Sequence, residues 1–158
     1  MTTDDVNLMI EVQALYTECA SALDGRDFER FLRCFARECS YAIRAKENVD
    51  RGWPIAIVSC NNRGMLVDRV AAIQKSSFII PRVQRRIISG IRLARAEYPL
   101  QAQASFAVFE TFEGLPTTLF MAGRFEDQIC REDGALKFAD RCCILDSSIV
   151  PNSLPYPI

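Results

Sequence analysis

Three long runs in which apolar and polar residues alternate, joined by two tight turns, fill residues 101–149 and commit this part of the chain to a sheet. The first run, residues 102–113, sets Ala104, Phe106 and Val108 on one face and Ser105, Ala107 and Phe109 on the other. Glu113-Gly114-Leu115-Pro116 interrupts it. In the second, residues 117–131, Leu119, Met121, Gly123, Phe125 and Ile129 alternate with Thr118, Arg124, Glu126 and Gln128. Asp133-Gly134 then forms a strong hairpin signature, because glycine accepts a positive φ without a Cβ clash. The third run, residues 136–146, reads Leu136, Phe138, Cys142 and Ile144 against Lys137, Arg141 and Cys143. A period of two over this length means strand. At roughly 3.3 Å per residue, a dozen residues span about 40 Å, twice a usual strand. Such strands must twist and coil, which predicts a curved antiparallel sheet with a concave face to fill.

Upstream, the periodicity changes to helical. Asp4-Asp5 opens a helix whose Val6, Met9, Ile10, Tyr16, Cys19, Ala20 and Leu23 share a face and which Gly25 closes. Asp27 caps a second helix carrying Phe28, Phe31, Leu32 and Phe35 at i, i+3, i+4, i+7. Residues 40–45 read as a short strand, 47–54 as a polar loop bearing Trp53, and 55–60 as a short apolar strand. Asn61-Asn62 caps a third helix, with Leu66, Val70 and Ile73 on one face, ending near Lys75. Residues 84–96 form a further strand, Ile87, Ile91 and Leu93 on one side and Gly90 at a bulge or bend. Helices gathered early and a meander late argue an α+β fold of one domain, residues 1–158, with helices packed on one face of the sheet.

Composition removes several classes of function. Net charge is −1, from 19 basic and 20 acidic residues, so no global field favours nucleic acid or an anionic membrane. No apolar stretch approaches the roughly 20 residues that span a bilayer, and the acidic start lacks the basic region of a secretion signal. A soluble, cytoplasmic protein is expected. The seven cysteines include no C-x-x-C pair and read as reduced core thiols. The chain has no histidine. That excludes Ser-His-Asp and Cys-His catalysis, His-ligated zinc, Rieske clusters and the two-His-one-carboxylate iron site, so no metal is expected in this chain.

Among candidate sites, Arg82, Arg85, Arg86, Arg92 and Arg95 cluster around one strand, without the aromatic interleaving of a nucleic-acid surface. They read as a solvated or partner-facing strand. Glu126, Asp127 and Arg141 can form ion pairs, and carboxylates on a concave face can also act as acid or base. G-x-G-x-x-G, P-loop and G-x-S-x-G motifs are absent. The tail ending in Tyr156-Pro157-Ile158 is too rich in proline for a helix. It is also too apolar for a solvated end, and it folds onto its own subunit or docks on a neighbour.

The element order resembles the cone-shaped NTF2-like (SnoaL-like) fold. Leu23-Asp24-Gly25-Arg26-Asp27-Phe28, followed by Leu32-Arg33-Cys34-Phe35-Ala36, is similar to the turn between that superfamily's first helices. Set against ketosteroid isomerase through this turn, Cys19 and Ile43 stand where that enzyme has its tyrosine donor and aspartate base. A closer resemblance is to the small (beta) subunit of aromatic-ring-hydroxylating Rieske oxygenases. It is carried by Met65-Leu66-Val67-Asp68-Arg69-Val70, Arg85-Arg86-Ile87-Ile88-Ser89 and Gly123-Arg124-Phe125-Glu126-Asp127. The stretch from Asp133-Gly134-Ala135-Leu136 to Arg141, then Leu145-Asp146, also fits, although Arg86 stands where many relatives have histidine.

The resemblance implies a non-catalytic subunit with no catalytic, cofactor or metal residues of its own. The Rieske 2Fe-2S cluster and mononuclear iron would lie in a large-subunit partner, within a hexamer of three large and three small chains acting on an aromatic carboxylate. Expected interface residues are Trp53, Arg85, Arg86, Tyr156 and Ile158. The alternatives are a stand-alone isomerase, dehydratase or cyclase using carboxylates with Tyr16 and Tyr41, or a binding module of the same fold.

Overall fold

A computed structural model describes residues 2–95, 97–149 and 154–158. Helix α1 (Thr3–Asp24) begins at a reciprocal cap: the Asp5 N–H donates to Thr2 Oγ1 at 3.1 Å and the Thr2 N–H to Asp5 Oδ2 at 2.7 Å. Its buried stripe is Val12, Leu15, Tyr16, Cys19 and Leu23, not one starting at Val6 and Ile10, which are exposed. The first three turns carry apolar side chains around most of the circumference, so spacing does not select the face. Contact with the sheet does.

Asp27 caps α2 (Phe28–Arg33) through Oδ1, which accepts from the Arg30 N–H at 3.1 Å. Phe35, expected on that helix, instead opens β1 (Phe35–Ala45), where it lies opposite Phe138. The expected loop after β1 contains a short helix, α3 (Lys46–Asp50). The apolar strand shrinks to β2 (Val58–Cys60), leaving Ile55 exposed. Asn62 Oδ1 accepts from the Met65 N–H at 2.9 Å and starts α4 (Arg63–Lys75), which buries Leu66 and Val70. The remaining strands are β3 (Arg82–Arg95), β4 (Leu100–Phe112), β5 (Thr118–Glu132) and β6 (Ala135–Leu145). Ala96, the expected end of β3, and residues 150–153 of the tail lie outside the described residues.

The sheet order is β2-β1-β6-β5-β4-β3, antiparallel throughout except that β1 runs parallel to β6. The inner face packs against α1, α2 and α4 in one core that includes Phe31, Tyr41, Phe106, Phe125 and Phe138. This is the α+β cone that the NTF2-like resemblance implies.

Three pairing irregularities correct the inward and outward assignments, since one extra residue moves every following side chain to the other face. In β3, Gly90 (φ +61°) marks a register shift between Ser89 and Arg92. Gln84 and Arg86 are therefore buried before it, with Ile88 packed on the core, while Ile91 and Leu93 pack inward after it. Ile87, expected on the same side as Ile91 and Leu93, is exposed. In β5, the shift at Phe120 turns Leu119 out while Met121, Gly123, Phe125 and Ile129 keep the inner register. In β6, the shift at Ala139 puts Arg141 and Cys143 inside with Phe138, opposite to their expected face.

The β5–β6 hairpin has a two-residue loop, with Asp133 at φ +52° and Gly134 at φ +80°. A β-branched side chain there is strained, so Gly134→Val should destabilise the chain by roughly 1–3 kcal/mol. Thermal melts compared with wild type check this; coincident melts would contradict the strain.

Candidate functional site

The inward register of β5 and β6 brings two opposite charges into the cone. Asp127 follows Phe125 on β5, and Arg141 follows the β6 bulge. Arg141 donates from Nη2 to Asp127 Oδ2 at 3.0 Å and from Nε to Oδ1 at 3.3 Å, and the side chains are 1% and 0% exposed. Tyr16, carried in by α1, donates its hydroxyl to Asp127 Oδ2 at 2.5 Å. Arg141 also reaches Cys19 Sγ at 3.3 Å, and its guanidinium carbon lies 3.8 Å from the Phe138 ring centroid and 4.1 Å from that of Phe125.

The electrostatics follow from this enclosure. Burial is the largest single influence and opposes the guanidinium charge, but the Asp127 carboxylate, joined by Cys19, Tyr16 and Cys143, holds the Arg141 pKa above its ordinary value. Burial pushes the Asp127 carboxyl up, against the Arg141 charge and the Tyr16 bond. Burial and then the Asp127 charge push Tyr16 up, which keeps its hydroxyl a donor. Both carboxylate oxygens accept bonds from these two partners, and aromatic rings flank the guanidinium. The cluster joins α1 to the two central strands.

A second polar network lies at the inner edge of β3. Arg86 donates to Asp24 Oδ1 at 2.7 Å, to Gln84 Oε1 at 3.1 Å and to the Pro157 carbonyl at 2.6 Å. Gln84 and Arg82 both donate to Glu110 Oε2, at 2.9 and 3.2 Å. The groove above, between α1 and β3, has a volume of about 510 Å³, and Asp24, Gln84 and Arg86 in its lining are bonded to one another or to Glu110.

The tail closes the cone. Ile158 is buried and its N–H donates to the Tyr41 hydroxyl at 2.9 Å. The Tyr156 ring stacks on Phe28, and the Arg26 guanidinium sits 3.6 Å above it. The described part of the tail thus docks on its own subunit.

The expected interface residues separate accordingly. Trp53 and Arg85 are exposed; Arg51 lies against the Trp53 ring, and Arg85 has no polar partner among the described residues. Tyr156 is half-buried, whereas Arg86 and Ile158 are turned into their own chain. The reason for Arg86 is its even position on β3 before the bulge. Cys19 and Ile43 are wholly buried, and Cys19 accepts from Arg141. Tyr16 and Tyr41, the candidate groups of a stand-alone enzyme, are bonded to Asp127 and Ile158. Of the three residues expected to form ion pairs, Asp127 and Arg141 pair with each other and Glu126 pairs with Arg124; the inward face of Arg141 could not be read locally, because the bulge sets it.

All seven cysteines are free, five of them buried. No group of three or more Cys, Asp or Glu side chains among the described residues could hold a metal ion, and no helix among them is long and apolar enough to cross a membrane.

Comparison with known proteins places these features in a family. The family model described as "Ring hydroxylating beta subunit" matches residues 18–152. The chain is 29% identical to the anthranilate 1,2-dioxygenase small subunit of Burkholderia cepacia, over 99% of this chain and 98% of that one. It is 26% identical to subunit beta 2 of the terminal oxygenase component of terephthalate 1,2-dioxygenase from Comamonas sp, over 94% and 97%. Among solved structures, the beta subunit of a proposed aromatic-ring-hydroxylating dioxygenase from Novosphingobium aromaticivorans superposes with a TM-score of 0.85 at 29% identity, covering 97% of this chain and 99% of that one.

Proposed function

Because the chain belongs to the family of ring-hydroxylating beta subunits, we propose that it is the non-catalytic small subunit of a cytoplasmic Rieske-type oxygenase hydroxylating an aromatic carboxylate. Its role is to hold together a hexamer of three large and three small chains. The observation that carries the non-catalytic reading is the closed Tyr16–Asp127–Arg141 cluster, in which each group that could act as acid or base is bonded to another group of the same chain. The aromatic carboxylate is supported by the two relatives, named for anthranilate and terephthalate, which are both ring carboxylates.

A Rieske cluster and a mononuclear iron do not fit the residues present. The chain has no histidine, and no group of three or more Cys, Asp or Glu side chains among the described residues could hold a metal ion, while both centres require imidazole ligands. We therefore assign both centres to the large subunit.

The test is to purify the complex with its own large subunit, measure metal per chain after separating the two, and assay turnover of ring carboxylates beside their decarboxylated analogues. Iron is expected with the large chain only and turnover with the carboxylates. Tyr16→Phe, which removes a single hydroxyl, should leave both assembly and turnover per complex at the wild-type level. An intact complex that lost turnover would make this chain a participant in the chemistry.

A further inference from the structure

Residues 154–158 join parts of the molecule that the sheet keeps apart. Strands β1 and β3 are separated by β6, β5 and β4. The segment reaches both: the Ile158 N–H bonds to Tyr41 of β1 at 2.9 Å, and the Pro157 carbonyl to Arg86 of β3 at 2.6 Å. Its other end meets the helices. The Leu154 carbonyl accepts from Arg69 of α4 at 3.1 Å, and the Tyr156 ring packs on Phe28 of α2 and under the Arg26 guanidinium.

These are the contacts of a bound peptide. The hydrogen bonds of residues 154–158 run from their main chain to side chains of the cone, two arginines and a tyrosine. Main-chain bonds of this kind hold an extended segment whatever its sequence, and pockets for alternate side chains select it. Here the alternate residues are Tyr156, half-buried on Phe28, and Ile158, 3% exposed in the core. Pro155 and Pro157 between them fix φ, which lowers the entropy lost on docking.

The receiving groups have partners of their own. Arg86 also bonds Asp24 at 2.7 Å and Gln84 at 3.1 Å, and Arg26 donates to the Arg82 carbonyl at 2.6 Å. The Cys143 thiol, 3.6 Å from the Ile158 carbonyl, is also 3.7 Å from the Tyr41 hydroxyl. Departure of the segment therefore leaves Arg86 paired, not a lone charge in the core. Because Asp24 already neutralises Arg86, the site suits a neutral main-chain carbonyl better than an anion.

We propose that the mouth of the cone is a recognition site for a short extended peptide that presents an aromatic residue, a proline and a branched aliphatic residue in succession. Residues 154–158 occupy it as a releasable strap. The inference stands independently of the small-subunit assignment above.

The test uses the full chain. A strap that opens locally exposes the Ile158 amide without unfolding β6, so in hydrogen exchange read by NMR this amide should exchange about a hundredfold or more faster than those of β6. The variant Tyr156→Ala/Ile158→Asp vacates the site, and circular dichroism should show it folded. A labelled synthetic peptide of residues 154–158 is then titrated against variant and wild type by fluorescence anisotropy. Tethering gives the chain's own segment an effective concentration on the order of millimolar, so the peptide should bind the variant at least about tenfold more tightly than it binds wild type. The same peptide carrying Tyr156→Ala and Ile158→Ala should bind neither. A folded variant that does not take up the peptide, or takes it up no better than wild type, overturns the proposal. So does a variant that unfolds, or an Ile158 amide as protected as those of β6, since the segment is then an inseparable part of the core.

Discussion

Asp127→Ala should cost about 3–5 kcal/mol of folding stability, because it leaves the Arg141 guanidinium charged and unpaired inside the cone. The magnitude follows from the enclosure. Arg141 is 1% exposed, and besides Asp127 its polar contact among the described residues is the Cys19 sulfur, a weak acceptor. Water cannot replace the carboxylate without opening the Phe125–Phe138 packing around it. Arg141→Met should cost a comparable amount by stranding the carboxylate, with only Tyr16 left to bond it. The double variant Asp127→Leu/Arg141→Met removes both charges and should be more stable than either single variant. Urea midpoints of the four proteins test this. Additive losses would show that the two residues are not energetically coupled.

A larger effect is expected at Gly123, where Gly123→Val should prevent folding and Gly123→Ala should cost about 3 kcal/mol, the upper end for overpacking. A Cβ added at this position would lie 2.0 Å from the Ile144 carbonyl oxygen and 3.1 Å from the Leu145 Cα. Those atoms are backbone of the paired strand, so no side chain can move to relieve the contact. The only response is to part β5 from β6 beside the residues that carry Asp127 and Arg141. Gly52 and Gly114, with nothing within 4 Å of an added Cβ, serve as comparison sites for loss of space, although their positive φ makes any substitution strained. Soluble yield and urea midpoints distinguish the cases. A Gly123→Ala protein as stable as wild type would mean that the strands are not this close.

Much of the architecture is legible in local sequence because its causes are local. The long alternating runs require strands, Asp133-Gly134 supplies the two positive φ angles of a tight hairpin, and Asp27 and Asn62 carry oxygens that satisfy free N–H groups at helix starts. The absence of histidine bears on function without any structure. The family resemblance was readable in short motifs, among them the Gly123-Arg124-Phe125-Glu126-Asp127 stretch that proves to hold both the strand contact and the buried carboxylate.

The remainder depended on which residues meet through space. Period-two alternation determines that neighbours point oppositely, but not which of them points inward once a bulge intervenes. Bulges arise from the pairing of two strands, and those at Phe120 and Ala139 left no local mark. Alternation therefore put Arg141 on the side opposite Phe138, yet it is among the largest fully buried side chains, and put Ile87 on one side with Ile91 and Leu93, yet it is exposed. The parallel alignment of β1 with β6 joins segments about a hundred residues apart and has no signature in either. The tail was equally open: its apolar residues required burial, and only the folded cone, through Tyr41, Arg86 and Phe28, decided that the burial is within its own subunit. Composition and period set which elements form; register, a property of pairs of strands, set what each side chain does.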